Sequence, residues 1–436
     1  MMKIKSLFCL SLSACLSANA LACTNVISTG NGYTAVARTM DFAVNTGNKI
    51  GYAKTSTENV SNINLYQSTG VNPVKWKNSY DILGQTGFGT NIIADGINSA
   101  GVYAGYLYLP AITQFPTFDP KNKKPELGAM DTLNYVLGTS KDVPEAFANL
   151  QKVQIVANAV GLTQNGKTTH FVLPLHLIIR DKHGNSLLIE WIKGQSIAYM
   201  HLAGTNSTQR YINFAQKAEK TYPNFNMSTV TNTPSYDWHI HNVKKYDKLY
   251  NGNNNTKVDG LIMNGSGFTG LPGDYTPPSR LARTYEFAKF SPAPTSPQVA
   301  VDSALGLIYT DITPLSGAVS PTLWVSLSDL NNAVYYWKPI LSVENENGVL
   351  TASPYSTVET QFTTFNLHNI KNTQGFARAA ISQEAMLSQQ QTKEALAWLN
   401  NTAKPGGVHA KTAFSNKQII ADGYNLQLLK TSEVYP

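Results

Sequence analysis

Cysteine is scarce in this chain of 436 residues. There are three, and two of them, Cys9 and Cys15, lie in the first apolar stretch. If that stretch is removed, one thiol remains and no intramolecular disulfide can form. Long apolar runs are also missing: no segment after residue 22 approaches the roughly 20 apolar residues that a membrane-spanning helix requires. Gly/Ser tracts, blocks of one charge and a repeat period are absent, which argues against a flexible linker, a charged tail and a solenoid. Charged residues make up 14% of the chain and are scattered. The net charge of +7 therefore forms no stripe of the kind that binds nucleic acid, and at most suits an anionic small molecule. The eight histidines show no close pairing with cysteine or carboxylates beyond His239-x-His241, which lacks further metal ligands. No glycine-rich phosphate loop follows a strand. Neither a metal nor a cofactor is expected.

The start of the chain reads as a secretory signal. Lys3 and Lys5 form a positive n-region, residues 6–16 a short apolar region, and Ala20-Leu21-Ala22 the small-x-small triplet of a cleavage site. A cut between Ala22 and Cys23 makes residues 1–22 a signal peptide and places the mature protein outside the cytoplasm, secreted or periplasmic. Removing Lys3 and Lys5 lowers the formal charge from +7 to +5. Residues 23–436 are long enough to bury a large core and are read as one domain. Cleavage gives Cys23 a free α-amine beside its thiol, both on the same residue. A competing site lies upstream: Leu12-Ser13-Ala14-Cys15 has the form of a lipobox, which would make Cys15 a lipidated N-terminus and leave Cys23 behind an eight-residue leader.

Residues 24–29 and 33–40 are β-rich runs separated by Asn31-Gly32, the strongest short hairpin signal. With those two residues as the loop, Gly30 faces Tyr33 and Cys23 faces Met40. Arg38 then shares the face of Cys23, one diagonal step away and within reach of a long side chain, and Asp41 follows at the strand end. A slip of one residue would send Arg38 to the other face. Residues 90–108 have β character, and 173–181 with 186–192 form a second hairpin around Lys182-His183-Gly184-Asn185. Asp142-Val143-Pro144-Glu145 reads as a helix start. Residues 376–400 are expected to be helical and to stop at Pro405-Gly406-Gly407. The mixture of hairpins and helices implies an α+β fold in layers.

Cys23 followed by Arg38-Thr39-Met40-Asp41-Phe42 resembles the start of the choloylglycine hydrolase and penicillin V acylase family, which are cysteine N-terminal-nucleophile (Ntn) hydrolases. Asp95-Gly96-Ile97-Asn98-Ser99-Ala100-Gly101-Val102 is similar to that family's D-G-x-N-x-x-G-L segment. Thr231-Asn232-Thr233-Pro234-Ser235-Tyr236-Asp237-Trp238-His239 is similar to its T-N-x-P-x-[FY]-D-W-H segment. Leu271-Pro272-Gly273-Asp274, running to Ser279-Arg280, resembles its L-P-G-D…S-R segment. Pro174-Leu175-His176 with Asp181, Gly184 and Glu190 fits as well. The matches run in family order from residue 23 to about 280, and the last 150 or so residues carry no such motif. The resemblance implies a four-layer αββα sandwich. It also implies hydrolysis of a linear, non-peptide amide of an amphipathic molecule. Cys23 would be the nucleophile and its α-amine the base. Arg38 would favour the thiolate, Asp41 would accept an N–H of the α-amine, and Asn232 would give its side-chain N–H₂ to the oxyanion. Arg280 would complete the charge network, and the backbone N–H of Tyr108 would complete the oxyanion hole. Arg38 falls one residue earlier than in typical Gram-positive members, which a shorter first hairpin explains. The signal matches secreted Gram-negative members. Homotetramers are frequent in the family.

Family members acting on conjugated bile salts often carry Asn at the position of Tyr108, and penicillin V acylases often Tyr. This leans toward a penicillin V acylase-like preference, with bile salts and acyl-homoserine lactones as alternatives. Tyr103, Tyr106 and Leu109 are candidates for an acyl pocket, although core packing explains them equally. Two other classes stand beside this one: a papain-like Cys–His protease using His176 or His239, and a non-catalytic lipoprotein anchored at Cys15. Terminal sequencing of the mature protein is expected to begin at Cys23, and a chain starting at Cys15 would contradict the signal-peptide reading.

Overall fold

The computed structural model describes residues 23–42, 49–63, 72–87, 92–164, 167–247, 249, 256–258, 261–263, 268, 270–313, 322–341, 358–359, 362–369 and 427–428. The expected signal peptide, Cys15, the helix at 376–400 and its stop at 405–407 lie outside the described residues. In chain order, the strands of the two large sheets begin with β1 (Cys23–Gly30), β2 (Tyr33–Asp41), β3 (Lys49–Ala53), β4 (Ile82–Thr86), β5 (Ile93–Asn98) and β6 (Val102–Tyr108). They continue with β7 (Leu175–Asp181), β8 (Ser186–Ile192), β9 (Gln195–His201), β10 (Ser207–Ile212), β11 (Lys220–Pro223) and β12 (Thr229–Val230). Last come β13 (Thr322–Asp329), β14 (Val334–Leu341), β15 (Val358–Glu359), β16 (Thr363–Asn366) and β17 (Gln427–Leu428). The helices that cover these sheets include α1 (Thr132–Thr139), α2 (Val143–Leu150), α3 (Tyr236–Val243), α4 (Pro277–Phe290) and α5 (Pro297–Tyr309).

The first sheet runs β12-β1-β2-β13-β14-β15, with β16 also on β14. The second runs β11-β10-β9-β8-β7-β6-β5-β4-β3-β17. The paired strands are antiparallel throughout both sheets. Strand parity sorts their side chains into three apolar layers. Cys23, Ile27, Val36 and Met40 of the first sheet meet Leu83, Ile97, Tyr103, Leu107, Ile178 and Leu188 of the second. The other face of the first sheet, through Val26, Ala35, Ala37 and Leu327, packs on Ala300, Ala304 and Ile308 of α5. The other face of the second, through Ala104, Tyr106, Ile179 and Ile189, packs on Leu133, Val136, Phe147 and Leu150 of α1 and α2. The order is helix, sheet, sheet, helix: the α+β, αββα arrangement of the Ntn hydrolases.

Local chemistry accounts for the elements that set the site. Asn31 and Gly32 both take positive φ, 51° and 82°, as a two-residue type I′ loop requires. The loop fixes the register so that Gly30 faces Tyr33, Asn25 faces Arg38 and Cys23 faces Met40. The second hairpin pairs Leu177 with Ile189 and Arg180 with Ser186; its first strand begins at Leu175 rather than 173, just past Pro174, which has no N–H for a ladder. Asp142 caps α2, its carboxylate accepting from Glu145 N at 2.8 Å.

Gly84 of β4 faces Gly96 of β5. A Cβ on Gly96 would lie 2.6 Å from the Leu83 carbonyl oxygen and 2.8 Å from Gly84 Cα. Both are backbone atoms, so the strands would have to part beside Asp95. Gly96→Ala is therefore expected to cost about 1–3 kcal/mol of stability, read as a lower denaturation midpoint. An unchanged midpoint would contradict this packing.

Candidate active site

The hairpin register puts Cys23 and Arg38 on the face of the first sheet that meets the second. Both are buried, at 2% and 1% exposure. The thiol has Met40 Sδ at 3.7 Å and the Asp41 carbonyl oxygen at 4.0 Å, and the Arg38 guanidinium, 3.9 Å from the same Met40 Sδ, is close enough for its charge to act on the thiol. Burial pushes the thiol above its ordinary pKa; the Arg38 charge opposes this, and the nearby Asp41 adds to it. The expected depression by arginine is thus present but outweighed by desolvation.

Arg38 is held from the second sheet. Its Nη1 donates to Ala94 O at 2.8 Å and to Asp95 Oδ1 at 3.2 Å, and its Nη2 to the Tyr106 carbonyl. The Trp324 ring lies 5.1 Å from the guanidinium carbon, a cation–π distance. Asp95 also accepts from the Tyr103 hydroxyl, from Ser326 Oγ at 2.8 Å and from Tyr335 OH at 2.6 Å. It opens the Asp95-Gly96 motif, yet sequence reasoning gave it no part in the site. Burial weighs most heavily against the Arg38 charge, but Asp95, Cys23 and Tyr103 together outweigh it and raise the Arg38 pKa.

Asn232 follows β12, the neighbour of β1. Its Oδ1 accepts the Cys23 N–H and Arg280 Nη2 at 3.2 Å, and its Nδ2 donates to the Tyr108 carbonyl at 2.5 Å. The carboxamide and the Tyr108 peptide therefore meet beside Cys23. Arg280 sits in the first turn of α4. Its Nη1 donates to Thr24 Oγ1 and, at 3.3 Å, to Asp41 Oδ2, and its Nε to Tyr275 O at 3.0 Å.

Asp41 lies at a register shift of β2 against β13, after Met40. Its carboxylate accepts from Thr322 Oγ1 at 2.6 Å and Thr39 Oγ1 at 3.3 Å as well as from Arg280. Burial pushes its pKa up to about 7, against the Arg280 charge. The bond from Cys23 N goes to Asn232, not to Asp41 as expected for the freed amine. A peptide nitrogen carries one N–H to give, whereas an ammonium carries three.

Cys23, Arg38, Met40, Phe42, Gly87, Ile92, Ala94, Tyr106, Tyr108, Met130, Leu173 and Leu175 line a largely apolar cavity over the thiol. The Tyr108 and Phe42 rings meet edge to face there, 6.1 Å apart. Two acyl-pocket candidates fall elsewhere. Tyr103 has the opposite strand parity from Tyr106, and its hydroxyl is spent on Asp95 and Asn25. Leu109 is fully buried past the strand end, its N–H on Pro174 O and its carbonyl accepting from Thr113. Tyr106 lines the cavity while its hydroxyl bridges Ala129 O and Leu133 N. Among the described residues no imidazole bonds the thiol. His239 Nε2 bonds the Asn232 carbonyl at 2.9 Å, and His176 Nδ1 lies 3.8 Å from Glu190. Nor do the described residues gather three potential metal ligands of the His, Cys, Asp and Glu type.

The family model for linear amide C–N hydrolases of the choloylglycine hydrolase type matches residues 23–209 and 196–347. This chain belongs to the choloylglycine hydrolase family. A penicillin V acylase from Pectobacterium atrosepticum is 28% identical over 207 residues, 45% of this chain and 52% of that protein. A bile salt hydrolase/transferase from Clostridium perfringens is 27% identical over 195 residues, 44% of this chain and 50% of that protein. The aligned part of this chain thus spans about half the length of these two curated relatives. The structure of a penicillin V acylase from Agrobacterium tumefaciens superposes with a TM-score of 0.55 at 20% identity, covering 80% of this chain and 87% of that one. A mutant of the conjugated bile acid hydrolase from Clostridium perfringens gives 0.54 at 19%, covering 79% and 92%. These likenesses establish the Ntn-hydrolase fold for this family member.

Removing the cation beside the thiol should leave desolvation unopposed. Arg38→Met is expected to raise the Cys23 pKa and to slow its alkylation by iodoacetamide at neutral pH about tenfold or more. An unmoved pH profile of alkylation would show that Arg38 does not tune the thiol.

Proposed function

We propose that this hydrolase is a cysteine Ntn amidohydrolase whose nucleophile is made by signal-peptide cleavage between Ala22 and Cys23, in the manner of secreted Gram-negative relatives. The observation that carries the reading is the meeting of the Cys23 thiol, Arg38 and the Asn232 carboxamide beneath an apolar cavity. The freed α-amine, with a pKa of about 8, takes the thiol proton as the sulfur attacks the amide carbon. Asn232 Nδ2 and the Tyr108 N–H receive the negative charge that develops on the carbonyl oxygen. The α-ammonium returns its proton to the departing amine as the C–N bond breaks and a thioester forms. Water, losing a proton to the same amine, then releases the acid and regenerates the thiol. Arg38 stabilises the thiolate, and Arg280 with Asp41 orients Asn232 and the chain terminus.

The cavity supplies the preference. Phe42, Tyr106 and Tyr108 suit an aryl-bearing acyl group, as in penicillin V, and Tyr108 at this position supports that choice. A long acyl chain is the second reading, favoured by Met40, Ile92, Met130, Leu173 and Leu175; it would place acyl-homoserine lactones ahead of bile salts. The substrate is a small amphipathic molecule in either case, and no helix of the described residues is long and apolar enough to cross a membrane. A homotetramer is the assembly proposed from the family. The papain-like alternative is disfavoured because no imidazole among the described residues bonds the thiol, and a lipoprotein anchored at Cys15 leaves the assembled site without a role.

The test is release of free amine by the mature enzyme from penicillin V, glyco- and tauro-conjugated bile salts, and long-chain acyl-homoserine lactones. Penicillin V is expected to be cleaved fastest. Cys23→Ala should abolish all turnover, and Asn232→Ala should lower kcat about 10²–10³-fold. Full activity in Cys23→Ala would refute the mechanism, and a faster bile salt or lactone would refute the preference.

A further inference from the structure

Behind Asn232 lies a second group of buried polar side chains that the reaction above does not use. His176, Glu190 and His239 are 1%, 0% and 1% exposed. Glu190 Oε1 accepts the N–H of Tyr236, the first residue of α3, at 2.9 Å. Ser235 makes no side-chain cap there, so the Glu190 carboxylate takes over one of the orphan donors of that helix end. One turn further along α3, His239 Nε2 meets the Asn232 carbonyl oxygen at 2.9 Å. A carbonyl can only accept, so Nε2 carries the proton and Nδ1 is bare. Nδ1 has no partner, which fits a neutral ring. Burial, with His176 and Arg280 nearby, holds the His239 pKa down at about 4.

These contacts pin both ends of one short segment. Tyr236 is tied to β8 through Glu190, and Asn232 is tied to α3 through His239. Between them the carboxamide of Asn232 must keep Nδ2 toward Tyr108 O and Oδ1 toward Cys23 N and Arg280. Those bonds orient the carboxamide, and fixing the Asn232 carbonyl holds in place the backbone from which it projects. We propose that His239 is a positioning residue, which, braced by Glu190 at the start of its helix, holds the Asn232 backbone so that the carboxamide faces the oxyanion. The inference rests on the amidohydrolase reading. It goes beyond that reading by assigning work to a histidine that touches neither thiol nor substrate.

The test compares His239→Phe, His239→Met and His239→Gln in the mature full-length enzyme with penicillin V. Phe keeps the ring and Met fills the space flexibly, but neither can donate; Gln keeps an N–H donor. Wild-type turnover is the control for the amidohydrolase reading, since its absence would fail that reading itself. His239→Phe and His239→Met should lower kcat roughly 10- to 100-fold, the cost of an Å-scale misplacement, with KM within about twofold. Alkylation of Cys23 by iodoacetamide has no oxyanion and should keep its wild-type rate. His239→Gln should recover most of kcat. Three results would overturn the proposal: wild-type kcat in both Phe and Met variants, a parallel loss of alkylation and hydrolysis, or no recovery with Gln. Failure of both donor-free variants to fold would also overturn it, by assigning His239 to the core instead.

Discussion

One buried carboxylate holds the site together. Asp95 belongs to the second sheet, and three of the four side chains that donate to it, Arg38, Ser326 and Tyr335, belong to the first. The ion pair with Arg38 is weak evidence for stability, because desolvating two charges offsets much of their attraction. Its consequence is positional. A guanidinium clamped by Asp95, Ala94 O and Tyr106 O has one place to go, and that place is against the Cys23 thiol. The close approach of Gly84 and Gly96 brings the backbone of β4 and β5 together next to this carboxylate.

The remaining parts of the site arrive from separate elements that the sheet order makes neighbours. The hairpin loop at Asn31-Gly32 sets which face Arg38 takes. The register shift after Met40 sets Asp41 toward Thr322 and Arg280. β12 beside β1 delivers Asn232, and the first turn of α4 delivers Arg280. All of these groups are nearly free of solvent. Burial therefore raises the cost of charging both the thiol and Asp41, and a cation beside each opposes that cost. A family of linear amide hydrolases needs a nucleophile that ionises only as it attacks. In the proposed mechanism, a desolvated thiol with an arginine near it and an α-amine on the same residue would meet that need.

Much of this was legible in the chain. An Asn-Gly loop between β-rich runs gave the first register residue by residue, because side-chain parity leaves no intermediate answer. The same parity rule puts Tyr103 and Tyr106 on opposite faces of the second sheet. Asp142 and Pro144 marked α2 by local capping chemistry. Asn232 and Arg280 were found by motif, since nothing local ties them to Cys23 across more than two hundred residues. Asp95 and Trp324 were missed for the reverse reason. Their partners lie on the opposite sheet or a distant strand, and no spacing rule encodes a contact made by stacking two sheets. The pull of Arg38 on the Cys23 thiol was legible because charge can be read from sequence, whereas the depth of burial that outweighs it cannot.

The proposed mechanism makes maturation and activity one event, because its base would not exist until the peptide bond before Cys23 is cut. The most direct measurement compares two purified proteins of equal fold, one beginning at Cys23 and one retaining Ala22 before it. Single-turnover acylation by an amide substrate is followed in each. The account predicts acylation only for the protein that begins at Cys23. Equal acylation rates in the two would show that the thiol finds its base elsewhere and would contradict the N-terminal-nucleophile mechanism.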